Sequence, residues 1–131
     1  MFQRSKLVIF KPGQALVLLI VVMVVGTIVT SAAVIFVIVN SQAASNLQSG
    51  EETYAIAESG AENGILRLVR DPNYGGETLT VGMGSTVITV SGSGTKTIVS
   101  EGVRGNFRRK VEVVGSYVNN IFTVSTWREI N

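Results

Sequence analysis

The chain contains no cysteine and no histidine. That double absence excludes disulfides, thiolate and imidazole metal sites, Cys or His nucleophiles and the Ser-His-Asp arrangement together. Proline is nearly missing as well: Pro12 and Pro72 are the only two, so no ring interrupts a helix between them. Charge is scarce, with 15% Asp, Glu, Lys and Arg against 46% hydrophobic residues. This balance is too apolar for an ordinary soluble domain of 131 residues. The net charge of +2 is a local effect, because Arg4, Lys6 and Lys11 supply three of the eleven basic residues. Without them 11 − 3 = 8 cations face 9 anions, a formal −1. The basic balance therefore speaks of membrane orientation more than of nucleic acid.

What the chain does have begins with an uncharged run. Ala15 to Val39 carries no charged residue and seventeen Leu, Ile, Val or Phe. At roughly −0.3 to −0.6 kcal/mol each near a helix centre, these favour insertion by about 5 to 10 kcal/mol as an upper estimate. At about 1.5 Å per residue the run crosses a hydrocarbon core of about 30 Å with some tilt. A cleaved secretory signal has an apolar region of only about 7 to 15 residues, so the length argues against one. Positive charge before the span, with none just after it, predicts an N-terminus in the cytoplasm and Asn40 onward outside.

Beyond Asn40 the residues become small and polar. Leu47, Tyr54, Ala57, Ala61, Ile65 and Leu68 recur at spacings of three, four or seven and mark one helical face. Glu51, Glu52, Glu58, Glu62 and Arg67 mark the opposite one. Gly50, Gly60 and Gly64 weaken the helix slightly and leave room for a close neighbour. Asp71-Pro72 ends it, since the residue before proline is pushed out of the α region. One rod from about Ala15 to Arg70 is expected, half membrane span and half amphipathic.

From Tyr74 the chain turns to short β-prone runs separated by glycine-containing turns: Glu77 to Val81, Thr86 to Ser91, Thr95 to Glu101, Phe107 to Val114 and Ile121 to Trp127. This predicts an antiparallel meander, with Ile88 and Val90, Val111 and Val113, and Phe122 and Val124 lining one face. So few strands are marginal alone, and the amphipathic half of the rod is the available cover. The expected class is α+β: a long N-terminal helix packed on a small antiparallel sheet through Tyr54, Ala57, Ala61, Ile65 and Leu68. Its segments are 1–13 basic leader, 14–39 membrane half of the helix, 40–71 amphipathic half and 72–131 sheet domain.

With these features the chain resembles type IV pilins and pseudopilins, which combine a short basic leader, a processing glycine, a long hydrophobic helix and a C-terminal sheet. The leader would be Met1 to Gly13 with Lys11-Pro12-Gly13, and the mature chain would start Gln14-Ala15-Leu16-Val17. Ala57-Glu58-Ser59-Gly60-Ala61-Glu62 is similar to the helix of PilX-type minor pilins. The resemblance covers about the first seventy residues. It implies cleavage between Gly13 and Gln14 by a prepilin peptidase, assembly through Leu16, Leu18, Val22, Gly26 and Val29, and a filament of packed helices. The implied partners are the membrane, other pilin subunits, the peptidase and an assembly platform. No cofactor, metal or small-molecule substrate is implied. The chain departs from the family pattern at the fifth mature position, where a Glu typically pairs with the neighbouring N-terminal amine and Leu18 stands here. A minor, priming or tip subunit fits that departure better than the repeating one. Gly26, with Thr27 and Thr30, marks the weakest part of the span, where local unwinding on assembly is expected.

Other motifs have plainer readings. Ser91 to Thr97 superficially resembles a phosphate loop, yet lacks the Gly-Lys-Ser/Thr ending and precedes a strand, so a hairpin turn is preferred. Gly82/Gly84 and Gly102/Gly105 read as turns too. Arg104, Arg108, Arg109 and Lys110 would make a basic patch for DNA, but strand neighbours face opposite sides and a solvated, charge-protected strand is favoured. Glu58 and Glu62 lack the metal or nucleophile that carboxylate chemistry needs. An enzyme is not expected. The alternatives are a signal-anchored binding module that never polymerises and a β-domain released near Ala43 or Ala44.

Overall fold

The computed structural model describes residues 11–131. Helix α1 runs without interruption over Pro12–Arg70, so its start lies a few residues before the expected Ala15. Pro12 occupies the first helical position, where a missing N–H costs nothing and its φ is already helical. At the other end the Arg67 carbonyl accepts the Asp71 amide at 2.9 Å, and the Asp71 carboxylate accepts the Asn73 amide at 2.9 Å. This Asx turn stops the helix where Asp-Pro was expected to do so.

The chain divides after Ala43 into two units. In the first, α1 has its side chains exposed throughout, and the helix is long and apolar enough to cross a membrane. It continues through Gly26 without a break. The Thr30 hydroxyl donates to the Gly26 carbonyl at 2.9 Å and the Ser31 hydroxyl to the Thr27 carbonyl at 2.7 Å. These back-bonds satisfy the hydroxyls within the helix itself.

The second unit is an α+β domain in which the rest of α1 lies on a five-stranded antiparallel sheet. The strands are β1 (Gly76–Val81), β2 (Gly84–Ser91), β3 (Thr95–Arg104), β4 (Phe107–Val118) and β5 (Ile121–Ile130), in meander order β1-β2-β3-β4-β5. Each ends beyond, or at, its expected limit. The β4–β5 turn has positive φ at both Asn119 (51°) and Asn120 (61°), the type I′ geometry whose twist suits a two-residue hairpin. Gly82 and Gly105, both at φ 57°, open the other two tight turns. Between Val114 and Gly115 the β4–β5 register slips, and the extra residue, Ser125, donates its hydroxyl to the Val114 carbonyl at 2.9 Å.

Alternation places Thr86, Ile88, Ile98, Ser100, Gly102, Val111, Val113 and Gly115 on the face toward α1, all buried. Ala57, Ala61 and Leu68 meet them from the helix with no exposed surface, and Tyr54, Ile65, Val90, Tyr117 and Phe122 close the margins. Each fully buried Leu, Ile or Val side chain stabilises the domain by about 1.5 to 3 kcal/mol. Two residues expected in this core are outside it. Leu47 is 72% exposed because it precedes the part of α1 that the sheet covers, and Val124 is 43% exposed because β5 reaches past the helix.

Candidate functional site

The most constrained part of the domain is the seam where α1 crosses the sheet. Its helix side is built of small residues, Thr53, Ala57, Gly60, Ala61 and Gly64, all buried. A Cβ on Gly60 would lie 2.5 Å from Thr86 Oγ1, and one on Gly64 would lie 3.0 Å from Ile98 Cγ2. From the sheet side, a Cβ on Gly102 would lie 2.6 Å from the Thr53 carbonyl oxygen and 2.7 Å from the Ala57 nitrogen. Helix backbone therefore rests on strand backbone, closer than any side chain allows. Gly84 is likewise filled from outside, its Cβ direction occupied by the Val103 carbonyl at 2.5 Å and Ile56 Cδ1 at 2.6 Å. Of the four glycines read as turns, Gly82 and Gly105 are turns, whereas Gly84 and Gly102 lie inside strands and are held by packing. The close approach that Gly50, Gly60 and Gly64 permit appears at Gly60 and Gly64. Gly50 has only Arg109 Nη2 near it, at 3.5 Å.

Three polar side chains are buried along this seam. Thr53 donates to the Ser49 carbonyl at 2.7 Å, and Thr86 and Ser100 are hydrogen-bonded to each other at 2.7 Å across β2 and β3. Pairing makes their burial affordable, since an unmade bond there would cost about 1 to 3 kcal/mol. Period-two alternation from Ile88 and Ile98 was the sequence signal for Thr86 and Ser100, and nothing in the pattern marked Thr53.

The basic residues do not form one surface, although Arg108 and Lys110 share the Glu101 carboxylate. Arg104 pairs with Glu52 of α1, Arg108 with Glu101 at 3.0 Å, Arg109 with Glu129 at 2.6 Å and Lys110 with Glu101 at 3.8 Å. Arg104 lies opposite Phe107 and Arg108 opposite Val103, so the two arginines stand on opposite sheet faces and cannot share one surface. On the outer face Glu112 and Arg128 are direct cross-strand partners at 2.5 Å. Glu52 and Arg67, expected among the solvated residues of α1, instead flank the sheet, with Arg67 reaching Glu77 of β1 at 3.0 Å. Tyr74 donates to the same Glu77 carboxylate at 3.0 Å. Partial burial first, then that hydrogen bond and the carboxylate charge, raise the Tyr74 phenol from 10.0 to about 12, with Arg67 opposing.

An open groove of about 240 Å³ lies between α1 and the β1–β2 turn, lined by Ala55, Ile56, Val81 and Met83 and edged by the Glu52–Arg104 pair. Its one hydroxyl, that of Ser59, donates to the Ala55 carbonyl at 2.8 Å, and the acid and base at its edge, Glu52 and Arg104, are paired with each other. Among the described residues no three metal-ligating side chains come together. Glu58 and Glu62 stand on α1 without an ion-pair partner among the described residues.

The residues singled out for processing and assembly fall at the start of α1. Gly13 and Gln14 occupy its first turn, where the Gln14 amide donates to the Lys11 carbonyl at 2.9 Å. Leu16, Leu18, Val22 and Val29 are 56–62% exposed, and Gly26 has open space around it. Of the leader 1–13, residues 1–10 lie outside the described residues. Comparison of the chain with protein-family models, with curated proteins and with solved structures finds no match.

Proposed function

We propose that the protein is a type IV pilin-like structural subunit, minor rather than repeating, of a pilus or of a type II secretion pseudopilus. The observation that carries this reading is the uncovered apolar helix beginning directly at Lys11-Pro12-Gly13. From Leu16 to Val39 its large apolar side chains are 50–70% exposed. Such a surface requires lipid or other helices around it. While Arg4, Lys6 and Lys11 remain attached, they hold the helix in the cytoplasmic membrane with its C-terminal domain outside. Cleavage after Gly13 by a prepilin peptidase removes that hold. The helix then moves from lipid into a bundle of identical or related helices and becomes extracellular with the filament. The role is non-enzymatic and needs neither a cofactor nor a small-molecule substrate, and for its basic residues a solvated, charge-protected strand is favoured over a contact with nucleic acid.

Leu18 favours the second reading, a membrane-anchored binding module that is never processed. Without a carboxylate at this position, nothing in the chain's own span neutralises the amine that cleavage would create at Gln14. Mass spectrometry of the N-terminus in membrane and sheared-surface fractions decides between them. Gln14 is the expected start. Met1 in every fraction refutes processing, and a start at Ala44 or Ser45 identifies a secreted domain instead.

A further inference from the structure

The sheet is open, and its two edge strands, β1 and β5, each pair with one neighbour only. They are not alike. β1 is blunted in the way edge strands commonly are: it has six residues, and near its start Glu77, opposite the helix-facing Ile88, turns a charge inward. β5 has ten residues, with neither proline nor lysine. Its inward side chains are Phe122, Val124, Trp127 and Glu129, opposite Tyr117, Gly115, Val113 and Val111, and the one charge among them, at the far end, is matched by Arg109.

The β4–β5 turn decides what the longer edge offers. A two-residue turn is closed by a hydrogen-bonded pair, here Val118 and Ile121, and bonding then alternates along the ladder. The bulge at Ser125 absorbs one residue, so beyond it the alternation resumes in step with the side chains. Phe122, Val124, Trp127 and Glu129 therefore aim their backbone N–H and C=O groups away from β4. None of these groups has a backbone partner elsewhere among the described residues. Beside them Val124 and Trp127, although they face the helix side, remain 43% and 37% exposed. The edge is an unpaired ladder with an apolar shelf.

The charge beside that shelf specifies what fits it. At about 100° per residue, Glu51, Glu58 and Glu62 lie about 100 to 140° round α1 from the sheet-facing Ala57. Ile56 against Gly84 and Arg67 against Glu77 lie on the other side of Ala57, toward β2 and β1. The three carboxylates are thus on the β5 side, and none has an ion-pair partner among the described residues. No cation on this face answers them, because Arg109 is taken by Glu129, and Lys110 and Arg128 stand on the opposite sheet face. Antiparallel pairing of β5 with β5 of a second copy would set both α1 helices on one side and bring like carboxylates together. A basic strand meets no such repulsion.

We infer that β5 takes up an extended segment of another protein as an added strand, one that carries Lys or Arg and apolar residues on its helix-facing side. Backbone pairing to Val124 and Trp127 holds the segment. Its cation, beside the Trp127 ring and the Glu58 and Glu62 carboxylates, supplies the selectivity. The surface is the same whether the chain starts at Met1 or at Gln14, so this contact and the filament reading fail separately.

Trp127 is the single tryptophan and lies on the shelf, so its emission reports occupancy. Full-length protein in mild detergent is titrated with a synthetic peptide the length of β5, threonine at every second position and lysine alternating with valine between. A saturable blue shift is expected. N-methylation of one alternate set of peptide amides should abolish it and of the other set leave it, which reads backbone pairing without altering the protein. Val124→Pro, which removes one outward N–H at a place an edge strand tolerates, should weaken binding by about two- to tenfold. Glu58→Gln and Glu62→Gln should each weaken it by up to about fivefold. No shift with the lysine peptide, indifference to which amides are methylated, or equal binding of a peptide with glutamate for lysine overturns the added strand. So does a shift that follows protein concentration without peptide, which gives the edge to a second copy.

Discussion

Replacement of Gly102 by alanine tests the helix–sheet seam directly. The new Cβ would stand 2.6 Å from the Thr53 carbonyl oxygen and 2.7 Å from the Ala57 nitrogen, against 3.4 Å for ordinary contact. Both obstructing atoms are backbone, so neither can rotate away. Helix and sheet must separate locally by 3.4 − 2.6 = 0.8 Å, and that gap is felt by Ala57, Ala61 and Ser100, which have no exposed surface. A shift of this size forfeits a quarter to a half of each contact well it opens. Overpacking of this kind costs about 1 to 3 kcal/mol, and Ala returns little of it through strand propensity. For a domain of this size that is a large fraction of total stability. Urea unfolding of full-length protein in a mild detergent, followed by fluorescence of Trp127, the single tryptophan, measures it. Gly94→Ala is the control, because nothing lies within 4 Å of its Cβ and its φ is unexceptional. Equal midpoints for the two variants would refute the backbone-to-backbone seam.

Leu68→Ala removes a side chain with no exposed surface at the end of the core, and calorimetry should show a loss of about 2 to 5 kcal/mol. Asn119→Ala removes the short amide that lets asparagine tolerate φ 51°, costing up to about 1 to 2 kcal/mol, whereas Asn119→Gly in the same denaturation assay should leave the hairpin intact. Tyr74 provides a pH test: its folded pKa of about 12 exceeds the unfolded value of 10.0, so the folded state holds the proton more tightly. Its stabilising effect is present below pH 10.0 and is lost as pH rises toward about 12. Tyr74→Phe should flatten stability over that interval, and an unchanged profile would refute the raised Tyr74 pKa as its source.

Much of the architecture was legible because it rests on local chemistry. A long uncharged apolar run, an amphipathic continuation without proline and Asp71-Pro72 at its end determine one helix and its stop. Period-two runs between turn residues determine the five strands of the α+β fold. The same patterns could not rank glycines, since a glycine needed for a turn and one needed for clearance are the same letter. Gly82 and Gly84 sit two residues apart, yet only the second lies beneath another element.

Tertiary structure alone decided what meets across the seam. Which residues of α1 oppose which strand depends on where the helix is laid along the sheet, a relation between segments far apart in the chain. That placement buries Thr53, Thr86 and Ser100, leaves Leu47 outside, pairs Arg104 with Glu52, and separates Arg104 from Arg108 by the thickness of the sheet. The bulge at Ser125 then shifts the alternation of β5 and puts Trp127 on the sheet face that α1 covers, opposite Val113. The sequence by itself determined that a helix would need a sheet and a sheet a helix. The fit between them came from sterics at Gly60, Gly64 and Gly102, because only at those three-dimensional contacts does the missing side chain become a position for another backbone.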